Sequence, residues 1–284
     1  MNNQSIIDIH AHIYPEKIAA RAVEAVGEFY GIIMDSKGTT EQLLEYGSRI
    51  GAAHYAVHSV ATTDHQVFSV NEFIAGEMKA HPELTGFATL LPFMDDLEKA
   101  VEEAKRLGLK GIKLHPDFQR FYIDDPRCDR MYELIRGFGP VLFHMGDETR
   151  DYSRPERLAR VLDKFPDMVV IAAHMGGYST WDESRKYLLG RDIYLDTSST
   201  LFKLPKEDVT DMILSHGVER VLFGTDYPMW KHDEELARFM ALDLTDRQRR
   251  RILYDNAAGL LGLNEADGCS RTFSAEILKE KISV

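Results

Sequence analysis

Residues 6–12 read Ile6-Ile7-Asp8-Ile9-His10-Ala11-His12. Isoleucine at 6, 7 and 9 favours a strand, and Tyr14-Pro15 ends it. Side chains alternate along a strand, so Asp8, His10 and His12 fall on one side. Two imidazoles one residue apart on one face can share a metal ion. The other face is apolar and a helical pattern follows, which marks an inner strand of a parallel sheet. Buried imidazoles need partners, and a metal is a strong one. The test is whether later strands end in further ligands.

Downstream, strands and helices alternate. Pro15 opens a helix to about residue 28 with an apolar stripe at Ile18, Ala19, Ala22, Val23 and Val26. Further strands are read at 55–60, 86–91, 111–115, 140–144, 169–174, 192–196 and 220–226. Helices are read between them, and two close the pattern at about 234–241 and 245–261. Residues 27–38 and 117–126 read as loops. Strand–helix alternation implies a parallel sheet, and eight such units imply a closed (β/α)8 barrel. A doubly wound open sheet is the runner-up. It would normally carry a glycine-rich phosphate turn after the first strand, where this chain has His-Ala-His. One barrel domain is expected over 1–262. Residues 263–284 are expected to be an appendage, either packed outside the barrel or used in contacts of a homo-oligomer.

The chain has 284 residues, long enough for a barrel with a large core. Its 46 acidic against 34 basic residues give a net charge of −12, and no Lys/Arg cluster suits phosphate. Nucleic acid is therefore not expected as a partner. Cys128 and Cys269 match no zinc or redox spacing, so a reduced, cytoplasmic setting is the simplest expectation. Residues 1–4 lead straight into the first strand, and no signal peptide is expected. No apolar run approaches the length of a membrane span.

In a barrel the C-terminal ends of all strands meet at one mouth. Strand one ends in His10 and His12, strand four in Lys113 and His115, strand five in His144, strand six in His174 and strand eight in Asp226. Each alone has a bland structural explanation, but together they suit a divalent ion with a position open for water. His58 reads slightly better as a core histidine. His65, His81, His216 and His232 read as surface residues.

Asp8-Ile9-His10-Ala11-His12, Gly111-Ile112-Lys113-Leu114-His115-Pro116, Ala173-His174-Met175-Gly176-Gly177 and Phe223-Gly224-Thr225-Asp226-Tyr227-Pro228 resemble the amidohydrolase superfamily. They are most similar to its amidohydrolase-related branch, which includes the aminocarboxymuconate-semialdehyde decarboxylase type. The resemblance implies that His10, His12, His144 and Asp226 hold the metal and that Asp226 also shuttles a proton. It implies that His174 activates or orients water, with direct ligation as the competing role. Binuclear relatives bridge two metals through a carboxylated lysine on strand four. Lys113 lies two residues short of the strand end, so one ion is expected, zinc first and manganese second. Lys113 is then expected to pair with a carboxylate or the substrate.

The first expectation is hydrolysis of a small amide, ester or lactone by metal-activated water. The alternative is non-oxidative decarboxylation of an aromatic or unsaturated carboxylic acid. A scaffold that has lost catalysis is a third reading, and the full ligand set argues against it. Substrate contacts are assigned to Lys113, His115 and Arg150, with a salt bridge from Arg150 to Asp147 or Asp151 as an equal alternative.

Overall fold

The computed structural model describes residues 5–263. The elements run β1 (Ile6–His12), α1 (Glu16–Tyr30), α2 (Thr40–Ser48), β2 (Ala52–His58), α3 (Asp64–Ala80), β3 (Leu84–Thr89) and α4 (Leu97–Arg106). Next come β4 (Gly111–Leu114), α5 (Pro116–Gln119), α6 (Asp129–Ile135), β5 (Val141–Phe143), α7 (Pro155–Lys164), β6 (Val170–Ala172) and α8 (Trp181–Tyr187). The chain continues with β7 (Tyr194–Asp196), α9 (Lys206–His216), β8 (Val221–Leu222), α10 (His232–Met240), α11 (Asp246–Arg250) and α12 (Asn256–Leu261), the last two joined by a π-helical segment. The eight strands are parallel and ordered β1 to β8, which excludes the doubly wound sheet. Backbone bonds complete the ring between β8 and β1. Ile9 N–H donates to Phe223 O at 3.0 Å, and Asp226 N–H to His10 O at 2.8 Å. The proposed tail lies almost wholly outside the described residues. Among those described, no helix is long and apolar enough to cross a membrane.

Two apolar layers follow the period of two. Ile7, Ile9, Ala56, Phe87, Leu142, Ile171, Ala173 and Leu222 form the barrel interior, closed from below by Ala257 and Ala258 of α12. Their strand neighbours, such as Val57, Ala88, Ile112 and Phe143, pack outward with the helices. Strands β5 to β8 are shorter than expected from sequence. His144, His174 and Asp226 lie past the ends of β5, β6 and β8, whereas Asp196 is the last ladder residue of β7. The segment read as a 117–126 loop holds α5, because Pro116 sits at a helix start where its missing N–H costs nothing, and His115 Nδ1 accepts from Phe118 N–H there.

The register of β1 against β2 shifts between Ile6 and Ile7 and again between Asp8 and Ala11, and the second shift breaks strict alternation. Asp8 therefore serves the seam. Its carboxylate accepts from His10 N–H and Thr225 N–H, both at 3.0 Å, and from Thr225 Oγ1 at 2.6 Å. His232 Nε2 lies 3.0 Å from its other side, with both side chains fully buried. His232 and His216 are thus corrected from surface to interior. His216 lies 2.9 Å from Ile193 O through Nε2 and accepts from Gly190 N–H through Nδ1.

Asp8→Ala should therefore destabilise the fold by about 3–5 kcal/mol, because it leaves a buried network without its acceptor; urea denaturation measures this. A second expectation concerns pH. Burial raises the Glu235 carboxyl from 4.5 to about 7, against Arg238, which lowers it. A carboxyl raised by folding adds stability below its unfolded pKa and loses it as pH climbs through the folded one. Stability from this group should fall between about pH 4.5 and 7. Glu235→Gln should abolish that part of the fall in melting curves taken across the range.

Candidate metal and active site

The inner face of the barrel turns from apolar to polar in steps of two residues. Ala56 is followed by His58, Gly111 by Lys113 and His115, Leu142 by His144, Tyr194 by Asp196, and Leu222 by Gly224 and Asp226. The β1 register shift brings His10 onto this face above Ile9. Gly224 has no side chain because a Cβ there would lie 2.9 Å from His10 Cβ. Every charged or imidazole group named here is at most 9 % exposed.

Hydrogen bonds fix the tautomers. His144 Nε2 lies 2.9 Å from Gly146 O, so it must carry the proton and Nδ1 a lone pair. His174 Nδ1 lies 3.0 Å from Ser198 O, so its Nε2 likewise carries a lone pair. These two acceptors, His144 Nδ1 and His174 Nε2, face each other at 2.9 Å. A proton between them would make an imidazolium, which burial opposes: it holds His174 down to about 4. His10 Nδ1 donates to Asp196 Oδ2 at 2.9 Å, which leaves His10 Nε2 as an acceptor too. Asp226 Oδ1 lies 3.3 Å from His10 Nε2 and 3.4 Å from His12 Nε2. Lys113 Nζ meets the His10 lone pair, and the His144 and His174 lone pairs beside the Asp226 carboxylate fit a divalent ion.

Burial alone would raise the Asp226 carboxyl, yet His10, His12 and His174 hold it well below its ordinary value. Ser199 Oγ donates to Asp226 Oδ2 at 2.5 Å, and Trp230 Nε1 holds Ser199 at 2.9 Å. Burial lowers the Lys113 amine to about 8, and its Nζ donates to His10 Nε2 at 3.0 Å. Lys113 therefore meets an imidazole, not the carboxylate expected from sequence. His174, Ser199 and Asp226 have φ of 60°, 46° and 59°, left-handed values that are uncommon for non-glycine residues.

Above the donors lies an aromatic wall. His115 stacks between Phe118 and His144, each ring centroid 3.8 Å away. Tyr30, at the end of α1, covers the mouth with its hydroxyl 3.0 Å from His115 Nε2 and 3.4 Å from His144 Nε2. Beneath it a cavity of about 30 Å³ is lined by His12, Tyr14, Met34, Phe118, Asp226 and Met229 among others. Arg150 stands over the Phe29 ring at 4.1 Å and lies 3.3 Å from Asp147. Asp117 is buried near His144, and burial raises its carboxyl to about 7.

Sequence reasoning did not single out Tyr30, Asp117, Asp196 or Ser199 for roles. Asp196 ends β7 as Asp226 follows β8, a parallel the sequence does display. Tyr30 reaches the mouth only because α1 returns across it, which no local pattern encodes.

The amidohydrolase family model matches residues 7–263. The gamma-resorcylate decarboxylase of Polaromonas sp. JS666 is 24% identical, covering 82% of this chain and 86% of its own. An uncharacterized TIM-barrel protein of Bordetella bronchiseptica superposes with a TM-score of 0.75 at 23% identity, covering 91% of this chain and 98% of its own. A dihydroxybenzoic acid decarboxylase of Polaromonas sp. JS666, solved with manganese and 2-nitroresorcinol, gives 0.70 at 19% identity, covering 94% and 100%. These relatives correct the first expectation: those with a named reaction are decarboxylases, not hydrolases. With the family model matched along nearly the whole chain, the protein belongs to the amidohydrolase superfamily, in its amidohydrolase-related branch.

Proposed function

We propose that the protein is a metal-dependent, non-oxidative decarboxylase of a small aromatic acid bearing a phenolic hydroxyl. One observation carries this reading: an ionised, buried Asp226 stands beside converging imidazole lone pairs under an aromatic roof. His10, His12, His144 and Asp226 would hold the ion, with His174 Nε2 facing the same position. The manganese-bound neighbour makes manganese one candidate; the nitrogen-rich donor set makes zinc the other. When bound, the ion supplies a positive centre that orients carboxylate and phenolate oxygens.

The protein's own phenol supports the substrate class. Tyr30 already presents a hydroxyl to His115 and His144 and packs its ring against Phe118 and Tyr178. A phenolic acid would make the same kinds of contact once Tyr30 swings aside. The cavity beneath it has room for about one water, so that movement is required.

Asp226 is charged at rest and takes the phenol's proton. It then delivers that proton to the ring carbon bearing the carboxylate. The C–C bond to the carboxylate breaks, its electron pair restores the aromatic ring, and CO2 leaves. Lys113 keeps positive charge near Asp226 and His10 without entering the transfer.

Metal-stripped protein reloaded with manganese or zinc should release CO2 from hydroxylated benzoic acids. Asp226→Asn should lower turnover by about 10²–10⁴-fold, the usual contribution of a positioned acid–base group. No CO2 from any hydroxybenzoate by metal-loaded protein overturns the reading. His10→Ala should lose the metal, and His174→Ala should weaken it about 10–100-fold in calorimetric titration. Unchanged affinity in His174→Ala would return His174 to a purely water-orienting role.

A further inference from the structure

The inner-face pattern places one imidazole that the roles above do not use. His58 ends β2, two residues after Ala56, whose side chain lines the barrel interior. The period of two therefore turns His58 inward, toward the mouth. It is fully buried, and neither ring nitrogen has a hydrogen-bond partner among the described residues. One ring nitrogen of His58, one of His10 and one of His12 lie within 4.8 Å of one another. The His58 ring meets the His12 ring edge-on at 4.3 Å and the His10 ring at 5.0 Å. A histidine kept only for packing would leave two polar atoms buried without partners, a cost an apolar residue would avoid. A Leu or Phe would fill that space without such a loss.

We propose that His58 is a further nitrogen ligand of the divalent ion, adding a β2 imidazole to the pair on β1. This rests on the metal-site reading above. It also sets the site's preference. Imidazole favours zinc and cobalt over manganese, whereas carboxylate and water suit manganese. An extra imidazole should therefore tilt this barrel toward the softer ions.

The test compares wild type, His58→Leu and His58→Asn, each stripped of metal and titrated with zinc, cobalt and manganese. Calorimetry and competition with a chromophoric chelator give the affinities. Both variants should lose at least about 10-fold in zinc and cobalt affinity, and less for manganese. The visible spectrum of the cobalt-loaded variants should differ from that of wild type. Folded variants with wild-type zinc affinity and an unchanged cobalt spectrum overturn the inference. A crystal structure of zinc-loaded wild type decides it without any variant. A His58 nitrogen at about 2.0–2.1 Å from the ion supports it, and one beyond ligating distance overturns it. Wild type that takes up no ion would sink the metal-site reading itself. Bound ion with His58 outside its shell sinks only this inference.

Discussion

The Asp196 carboxylate decides what the mouth of this barrel can do. One oxygen accepts the His10 Nδ1 proton at 2.9 Å. The other accepts from the backbone of His174 at 3.1 Å and of Ser198 at 3.0 Å, and from the Ser198 hydroxyl. Burial works against its charge, yet His10 and His174 hold its carboxyl below the ordinary range. An ionised carboxylate can only accept, so a neutral His10 carries its proton on Nδ1 and its lone pair on Nε2, where Lys113 Nζ lies 3.0 Å away. The same group pins the strained turn at His174. Without Asp196 the imidazoles would still be near one another, but their tautomers and aim would be free.

That arrangement is an outcome of barrel geometry. Interior side chains repeat every second residue, so each strand that begins with an apolar interior residue can end with a polar one. The lower layer, from Ile7 to Leu222, is sealed by α12 and supplies rigidity. The upper layer supplies chemistry on the ends of different strands, each held by the packing below it. Left-handed backbone at His174, Ser199 and Asp226 concentrates strain where strands leave the ladder. The seam at β1 and β8 is the weak point of any such ring. Asp8 and Thr225 bind it from the side opposite the donors.

The fold was legible because strands buried on both faces are near-continuous apolar runs, and the turns between them carry glycine and proline. The donor residues were legible for the same reason, since an imidazole or carboxylate at the end of such a run is conspicuous. The roles of neighbours were not. His232 and His216 look like exposed helix ends in sequence; their partners, Asp8 and Ile193, come from distant strands. Strict alternation put Asp8 beside His10, and only the register shift in β1 separates them. Arg150 was a candidate for substrate, but its loop folds the guanidinium back onto Asp147 and Phe29. Reaction type was the least legible feature, because a metal site of this kind serves either a metal-bound water or a metal-bound substrate.

The mouth itself weighs on that last ambiguity. Hydrolysis must admit water beside the ion as the nucleophile. The proposed protonation of a ring carbon has the opposite need, since water would compete for the proton that Asp226 is proposed to deliver and screen the charges around it. Here the donors are nearly or wholly buried, and Tyr30, Phe118 and His115 roof them with ring surface. On the proposed reading, an aromatic acid entering beneath that roof would replace the phenol of Tyr30 with its own and keep the site dry. The roof is apolar in its faces and polar only where Tyr30 Oη, His115 and His144 meet. A flat ring with one hydroxyl and an adjacent carboxylate matches that distribution, whereas an extended amide or ester would leave its alkyl portion against buried imidazoles.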